Sequence, residues 1–277
     1  MHIFSIYRRK LVILLLCFTL GILFVANIGI SQISTQVYHY VYPKAGIYCY
    51  RVKTNSLPDI SEVKPRKGKS IFFHETSCNS YYNGKISITP RQACAVESAA
   101  KMNPNFDVYL LYVSPGNFCF ENSESDRILK ALLTYKNVNI LHVDFEKYSK
   151  GTPVENLYKR GYIENSGYAQ SHASDVLRLL KSICGVKEAK DMLNKDCRGF
   201  TVYPRDKFYA IPWWNWTMYF DESSTGTVFN LSKDSYIIHV WNKQSERSRI
   251  PLSSEVPYLL YAKKYCPKVV EECDEYF

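Results

Sequence analysis

The chain has 277 residues and a formal net charge of +9 at pH 7, and this length can bury one substantial hydrophobic core. Three of the positive charges come from Arg8, Arg9 and Lys10, and most other basic residues are interleaved with acidic ones. This distribution does not favour nucleic-acid binding, for which basic residues gather on one face. The 23 tyrosines are compatible with a carbohydrate-facing surface, a core or a membrane interface.

An uncharged stretch, residues 11–30, directly follows the basic cluster. Twenty helical residues cross a bilayer core of about 30 Å, and basic residues keep their side of the span cytoplasmic. We therefore predict a cytoplasmic tail (1–10), a transmembrane signal anchor (11–30) and a luminal remainder. A cleaved signal peptide is the alternative, because residues 26–29 include small side chains. The length of the apolar run favours the anchor.

Eight of the nine cysteines lie beyond the predicted anchor, which indicates disulfides in an oxidising compartment. The chain has no pair of Cys-x-x-Cys units, so a zinc site is not indicated. Two glycosylation sequons begin at Asn215 and Asn230. We favour Asn230 as the glycan site, because three tryptophans surround Asn215 in the sequence.

The segment that follows the anchor, residues 31–69, contains Pro43, Pro58 and Pro65 and has little periodicity. No helix or strand is predicted in it. We predict an extended, partly ordered stem that holds a folded head away from the membrane.

From Ser70 onward, short apolar runs alternate with amphipathic segments. Strands are predicted at 71–73, 108–113 and 138–143, one helix from Pro90 to before Pro104, and a second helix marked by apolar residues within 128–133. Thr89 and Gln92 predict a capping box at the start of the first helix, and Pro90 fits its first position. This β-α-β-α-β order implies a parallel sheet with right-handed crossovers.

Ligands of such sheets bind beyond the carboxyl ends of the strands. That rule places residues 74–77, residues 114–117 and Asp144 around one crevice. The first strand is not followed by Gly-x-Gly-x-x-Gly or by a P-loop lysine motif. A nicotinamide or ATP site is therefore not indicated.

The alternation becomes unclear after residue 181. Cys184 and Cys197 bracket a short helical stretch and could pair with each other. Residues 198–204 are predicted to form a strand and a turn, and residues 236–243 a strand that ends in polar side chains. By spacing alone, His239 is a histidine satisfied within that strand.

Three tryptophans, Trp213, Trp214 and Trp216, lie within four residues of one another. Such a group forms either a platform for an acceptor sugar or a plug in the core. The residue pattern alone favours the core.

Residues 171–181 (SHASDVLRLLK) are predicted to form a helix with a broad apolar face. Asp175 and Arg178 lie three positions apart and project from one side of it. A carboxylate beside a guanidinium can bind a polyol or a phosphorylated sugar. Spacing alone favours an exposed ion pair.

This helix resembles the Ser-Asp-x-x-Arg element of the alpha-1,4-glycosyltransferases, Asp-x-Asp sugar transferases that include Golgi lactosylceramide 4-alpha-galactosyltransferases. The other similar strings are FFHETSC, ACAVESAAKMNP, VNILHVDFEKYSKGTPVENLY and the His-x-Trp-Asn-Lys at 239–243. The resemblance implies an α/β, GT-A-like nucleotide-sugar transferase fold, with an incomplete Rossmann-like parallel sheet behind the transmembrane helix. Residues 70–181 would be the N-terminal half of that domain, and residues 182–277 its C-terminal alpha-1,4-glycosyltransferase region.

The resemblance also implies roles for particular residues. Asp175 and Arg178 would bind the donor sugar, the three tryptophans an acceptor, and His239 would help to hold Mn²⁺. The residues implied to bind the nucleotide diphosphate are His74, Glu75, Thr76, Trp241 and Lys243. The implied protein is a single-pass type II Golgi membrane enzyme of glycosphingolipid biosynthesis. It would transfer galactose, N-acetylgalactosamine or a related sugar from a UDP-sugar to a glycolipid or other glycan.

The chain contains no Asp-x-Asp, the carboxylate pair with which the family binds its cation. The resemblance covers both flanks of that segment and omits the segment itself, with a junction near Lys181 and Ser182. An omitted exon or an incomplete gene model would explain so clean a junction better than gradual loss. Asp144 and Glu146 are the nearest substitute carboxylates.

Two interpretations remain open at this point. The first is a glycosyltransferase that, in this form, binds UDP weakly, largely without metal, and transfers little sugar. The second is a catalytically inactive, membrane-anchored lectin-like or partner subunit. A disulfide-rich binding domain unrelated to sugars is disfavoured by the matches on both flanks.

Overall fold

A three-stranded parallel sheet forms the centre of the fold, in the order β1 (Ser70–Glu75), β2 (Asp107–Tyr112), β3 (Val138–His142). The computed structural model describes residues 47–151, 155–161, 163, 196–197, 200–201 and 203–277. These residues belong to the compact unit Ile47–Phe277. The predicted parallel sheet is confirmed, and β1 is longer than the three apolar residues that predicted it.

Two helices connect these strands after the short α1 (Asn79–Asn83), namely α2 (Pro90–Met102) and α3 (Glu124–Leu133). The predicted capping box of α2 is confirmed, because Thr89 and Gln92 accept hydrogen bonds from each other's backbone N–H. Ser123 and Asp126 form a second capping box at the start of α3. Although burial acts to raise it, hydrogen bonds from Lys85 and from the backbone hold the pKa of Asp126 at about 2.

Six further helices are short: α4 (Phe145–Ser149), α5 (Glu155–Lys159), α6 (Thr225–Ser232), α7 (Asn242–Ser245), α8 (Pro257–Tyr265) and α9 (Pro267–Glu271). Helices α8 and α9 pack against α2, and α9 also contacts α3. A separate antiparallel pair consists of β4 (Asp196–Cys197) and β5 (Phe200–Thr201), and β5 lies where a strand was predicted. The C-terminal region therefore completes the layer that α2 and α3 begin.

Strand β2 is buried on both faces of the sheet. Val108, Leu110 and Tyr112 face the larger core, which contains side chains of α2, α3, α8 and α9. Tyr109 and Leu111 face a smaller core on the opposite side. Since successive side chains of a strand point to opposite faces, burial of both faces explains the nearly continuous apolar run of β2.

The folded unit begins earlier than the predicted stem (31–69) allows. Cys49 is fully buried in the smaller core and forms a disulfide with Cys78. The end of the predicted stem runs beside β3, where the His142 N–H donates to the Pro58 carbonyl (2.9 Å). The prolines suggested a spacer, but the buried residues between them make this segment from Ile47 part of the fold.

The cysteines form disulfides, as their number indicated. Besides Cys49–Cys78, Cys94 of α2 pairs with Cys266, which directly follows α8. Among the described residues, Cys119 and Cys273 are free. Cys184 lies outside the described residues, so its pairing with Cys197 remains a prediction.

None of the helices in the described ranges combines the length and the apolar character that a membrane span requires. The predicted anchor at 11–30 lies outside those ranges.

The predicted strand at 236–243 is wrong. Residues 236–241 have no strand assignment, and the Tyr236 N–H donates instead to the Lys207 carbonyl (2.8 Å). Trp241 then adopts the left-handed conformation, with φ of 53°, and α7 begins at Asn242. A non-glycine residue with positive φ cannot continue a strand, so the chain turns there.

Candidate functional site

The end of β1 carries the first predicted diphosphate-binding residues, His74, Glu75 and Thr76. Glu75 is buried, and its carboxylate accepts hydrogen bonds from the Ser77 N–H (2.7 Å) and from the Gln92 side chain. The Thr76 carbonyl accepts a hydrogen bond from the hydroxyl of a buried tyrosine. These bonds hold the turn after β1, and Glu75 joins that turn to the start of α2.

The turn after β2 does not line an open crevice, contrary to the prediction. Ser114 and Gly116 are buried. The Gly116 carbonyl accepts the Leu57 N–H (3.0 Å), and the Asn117 carbonyl accepts the Ile86 N–H (3.0 Å). A Cβ at Gly116 would lie 3.3 Å from atoms of Ile86, so this close packing favours glycine. Residues from outside the sheet therefore cover this part of the predicted crevice.

Asp144, after β3, serves as the N-cap of α4. Its carboxylate accepts the Lys147 N–H (3.1 Å), and its own N–H donates to the Asp59 carboxylate (2.8 Å). Burial acts to raise the pKa of Asp59, but hydrogen bonds from Ser61 and Asp144 hold this pKa below its ordinary value. Glu146 is exposed in the first turn of α4. The nearest substitute for Asp-x-Asp is thus committed to capping a helix.

An aromatic cluster forms where the strand at 236–243 was expected. The ring centroids of Tyr209, His239 and Trp241 lie 4.4 to 5.5 Å apart. The Trp241 backbone N–H donates to His239 Nδ1 (3.1 Å), and its indole N–H donates to the Ile211 carbonyl (2.9 Å). Two predicted site residues, His239 and Trp241, are therefore in direct contact, and Lys243, two residues after Trp241, is exposed.

Tyr209 belongs to this cluster, and the sequence analysis did not assign it a role. Residues 207–211 lie alongside residues 236–241, because Lys207 contacts Tyr236 and Ile211 contacts Trp241. The signal in the sequence was the aromatic enrichment just before the three tryptophans. Such enrichment does not say which ring faces the site.

The described residues do not fit a bound Mn²⁺. They contain no group of three or more His, Cys, Asp or Glu that could hold a metal ion. His239 accepts the Trp241 N–H at Nδ1 (3.1 Å), which directs this ring nitrogen to the backbone. The implied metal role of His239 stays a prediction.

The three tryptophans do not form a core plug. Trp213 and Trp214 are 55% and 60% exposed, and their rings are nearly perpendicular, with centroids 6.0 Å apart. Trp216 is half-buried and packs edge-on against Phe220. The core interpretation is therefore wrong for Trp213 and Trp214, which present two differently oriented ring faces to the surface.

The first turn of α2 contacts the end of β1 and the residues that follow the predicted diphosphate-binding Trp241 and Lys243. Gln92 donates to Glu75 at the end of β1. The preceding residue, Arg91, donates to the Ser245 carbonyl (2.9 Å) and to the Ser248 carbonyl, just beyond α7. In the sequence this turn was recognised only as a helix start, because a cap motif carries no information about long-range partners.

Asp175 and Arg178 lie outside the described residues. Their donor-sugar role and the alternative ion pair therefore both remain predictions. Of the predicted site residues, the structure describes those at the end of β1, the tryptophans and residues 239–243.

Comparison with known proteins identifies the C-terminal region. Residues 159–273 match the family described as "Alpha 1,4-glycosyltransferase conserved region". This range includes the tryptophans and the aromatic cluster. No solved structure matches the chain significantly.

The chain is also similar to curated glycosyltransferases. It is 33% identical over 104 residues to lactosylceramide 4-alpha-galactosyltransferase of Rattus norvegicus, covering 37% of this chain and 28% of the relative. It is 30% identical over 123 residues to the Pongo pygmaeus enzyme of the same name, covering 43% and 56%. It is 25% identical over 97 residues to the Homo sapiens alpha-1,4-N-acetylglucosaminyltransferase, covering 34% and 27%.

The matched stretch spans between about a quarter and just over half of the length of these relatives. The resemblance inferred from sequence strings is confirmed by the match of a whole region. Residues 159–273 are thus similar to the conserved region of the alpha-1,4-glycosyltransferases.

Proposed function

We propose that this chain binds a UDP-sugar and acts in the transfer of a hexose or N-acetylhexosamine to a glycolipid or other glycan. The observation that carries the proposal is the aromatic cluster of Tyr209, His239 and Trp241, which lies inside the conserved family region. Its rings offer faces on which a nucleobase or a sugar can stack. The exposed Lys243 follows directly and supplies a positive charge for a diphosphate.

The proposed division of labour follows the chemistry of each group. Lys243 neutralises part of the charge that develops on the leaving diphosphate, and Trp241 orients the nucleotide. Asp175 and Arg178 bind hydroxyl groups of the donor sugar, and exposed Trp213 and Trp214 contact the acceptor. The family's Mn²⁺ is expected to be bound weakly or not at all, because the described residues do not assemble a ligand set.

Weak transfer is therefore part of the proposal. Removing one preorganised charge-stabilising group costs about 3 kcal/mol, or about a hundredfold in rate, and the loss of a cation should cost more. A catalytically inactive lectin-like or partner subunit is the second candidate. The absence of Asp-x-Asp from the sequence favours it.

Calorimetric titration with UDP, with and without Mn²⁺, tests the proposal. We expect weak binding that Mn²⁺ changes by less than about threefold, because no described carboxylate cluster can hold the ion. Lys243→Ala should weaken UDP binding by about tenfold to a hundredfold, since a hydrogen bond to a charged group contributes about 1.5–3 kcal/mol. Lys233→Ala is the matched control, because Lys233 is exposed at the end of α6.

A transfer assay with radiolabelled UDP-galactose or UDP-N-acetylgalactosamine and lactosylceramide separates the two candidates. Slow transfer supports the enzyme, and UDP or glycan binding without transfer supports the inactive subunit. Turnover at ordinary enzyme rates, or strong dependence on Mn²⁺, would contradict the proposed weakness of the site. No binding of UDP by the unaltered protein would overturn the nucleotide site itself.

We further propose a single-pass type II Golgi protein, with the folded unit in the lumen. The sequon at Asn230 reports on this topology, because glycan addition occurs only on the luminal side. Asn230 is exposed on α6, whereas the Ser232 hydroxyl bonds to the Val228 carbonyl and to Tyr261. Asn215 is also exposed, so the neighbouring tryptophans do not bury it.

Asn230→Gln should remove one glycan and increase gel mobility by one step, as digestion with an endoglycosidase does. This substitution is preferable to one at Ser232, whose hydroxyl takes part in packing. Asn215→Gln shows whether the second sequon is also used. A mobility that neither variant nor enzyme changes would contradict the luminal topology.

A further inference from the structure

Arg91 is held in an unusual environment for a cation. Its Nη1 donates to the Ser245 carbonyl (2.9 Å), and its Nη2 donates to the Ser248 carbonyl. Its guanidinium carbon lies 5.3 Å from the Phe220 ring centroid and 5.5 Å from the Tyr258 ring centroid. One side chain thus connects α2 to the tryptophan segment, to α8 and to the residues after α7.

No carboxylate pairs with Arg91 in the part of the chain that the structure describes. Burial lowers the pKa of Arg91, although the neighbouring Tyr258 acts in the opposite direction. Carbonyl dipoles and ring faces therefore take the place of a counter-ion. A partly desolvated cation without an acidic partner costs free energy, so this contact is not explained as a simple ion pair.

The segment that Arg91 holds has little stability of its own. Helix α7 has four residues, too few for a helix to be stable without tertiary contacts. Trp241 precedes it with φ of 53°, a conformation that is costly for a bulky side chain. The segment's local hydrogen bonds all close within residues 240–248: the Ser245 hydroxyl donates to the Val240 carbonyl (2.8 Å), and the N–H groups of residues 244, 245, 246 and 248 donate to carbonyls three or four positions earlier.

We propose that Arg91 is a positioning residue that sets residues 241–248 against the start of α2. Because the adjacent Gln92 holds Glu75, one helical turn fixes the relative placement of the end of β1 and of Lys243. This role rests on the proposed function for its ligand, which is a nucleoside diphosphate. Arg91 itself does not touch the ligand. It needs the two-pronged guanidinium, because a lysine ammonium cannot reach two carbonyls in a fixed planar arrangement.

Hydrogen exchange measured by mass spectrometry tests the positioning role without any ligand. In Arg91→Lys and Arg91→Met, amide exchange in residues 242–248 should become about tenfold faster or more, while exchange in β2 stays unchanged. Lys101→Met is the matched control, because Lys101 also donates from α2 to a C-terminal carbonyl, that of Lys264 (2.9 Å). The control should leave exchange in residues 242–248 unchanged.

Titration with UDP provides the second readout, performed at a temperature where circular dichroism shows each variant fully folded. Arg91→Lys should weaken UDP binding by about fivefold to tenfold, and Lys101→Met should not change it. Unchanged exchange in both Arg91 variants would overturn the positioning role. Faster exchange with unchanged UDP affinity would overturn its link to the nucleotide. Failure of the unaltered protein to bind UDP would instead overturn the proposed function, while the exchange result would still decide whether Arg91 positions this segment.

Discussion

Glu97→Ala should lower the free energy of unfolding by about 3 kcal/mol or more. Glu97 is fully buried in α2, and its carboxylate accepts the N–H groups of Lys268 (3.1 Å) and Val269 (2.8 Å), at the start of α9. The Tyr135 hydroxyl donates to the same carboxylate (2.7 Å). Alanine would leave these donors without an acceptor and leave a cavity, and an unsatisfied buried donor costs about 1–3 kcal/mol.

Urea denaturation measures this loss. Glu97→Gln keeps one acceptor oxygen and should therefore lose about half as much as alanine. Ser98→Ala is a suitable control, because the Ser98 hydroxyl donates within its own helix, to the Ala95 carbonyl (3.0 Å). A Glu97→Ala protein that unfolds within about 0.5 kcal/mol of the unaltered one would show that α9 is not anchored by this carboxylate.

Replacing both Cys94 and Cys266 with alanine should lower the free energy of unfolding by about 3–5 kcal/mol. This disulfide closes a loop with a sequence separation of 172, whereas Cys49–Cys78 has a separation of 29. In the chain-entropy description, the longer loop stabilises more, by about 1.5 kcal/mol. The disulfide also joins α2 to the C-terminal region, so its loss should loosen the packing of α8.

The decisive measurement compares the free energies of unfolding of the two proteins that each lack one disulfide. Removing Cys49–Cys78 should cost less than removing Cys94–Cys266, and Cys119→Ala should cost almost nothing because Cys119 is free and exposed. Equal losses from both disulfides would contradict the entropic account. Since the loop term grows only with the logarithm of length, an internal segment inserted near residues 181–182 should change the Cys94–Cys266 contribution by only a few tenths of a kcal/mol.

The central sheet was predictable because its signals are local. The alternation of β2 with two amphipathic helices, and the capping box at Thr89 and Gln92, depend on neighbours within a few residues. The family resemblance was also predictable, because short motifs such as His-x-Trp-Asn-Lys can be recognised in the sequence without knowledge of the fold. The boundary between the stem and the folded unit was not predictable, because prolines occur in irregular backbone both in spacers and in packed segments. The burial of Cys49 is what shows that this segment is packed.

The candidate site shows the same division. The sequence pattern predicted that His239, Trp241 and Lys243 belong to one functional segment, but it also predicted that this segment is a strand. Trp241 combines a left-handed backbone with a hydrogen bond from its indole N–H to the Ile211 carbonyl, 30 residues earlier, and no local pattern predicts that contact. The prediction that the turn after β2 lines a crevice was wrong for a related reason. The rule that ligands bind at strand ends does not include long-range packing, and here Leu57 and Ile86 cover the turn at Gly116.

What the sequence by itself determined is the order of the sheet and its helices, the family of the C-terminal region and the lack of Asp-x-Asp, because these depend on periodicity, capping and residue identity along the chain. What only the tertiary structure decided is which side chains contact one another across the fold. Long-range contacts are made by Arg91, Tyr209 and Glu97, each with residues far away in the sequence. Asp144 caps a helix. Long-range contacts follow from how the layers pack, and packing is set by the whole chain rather than by any one segment.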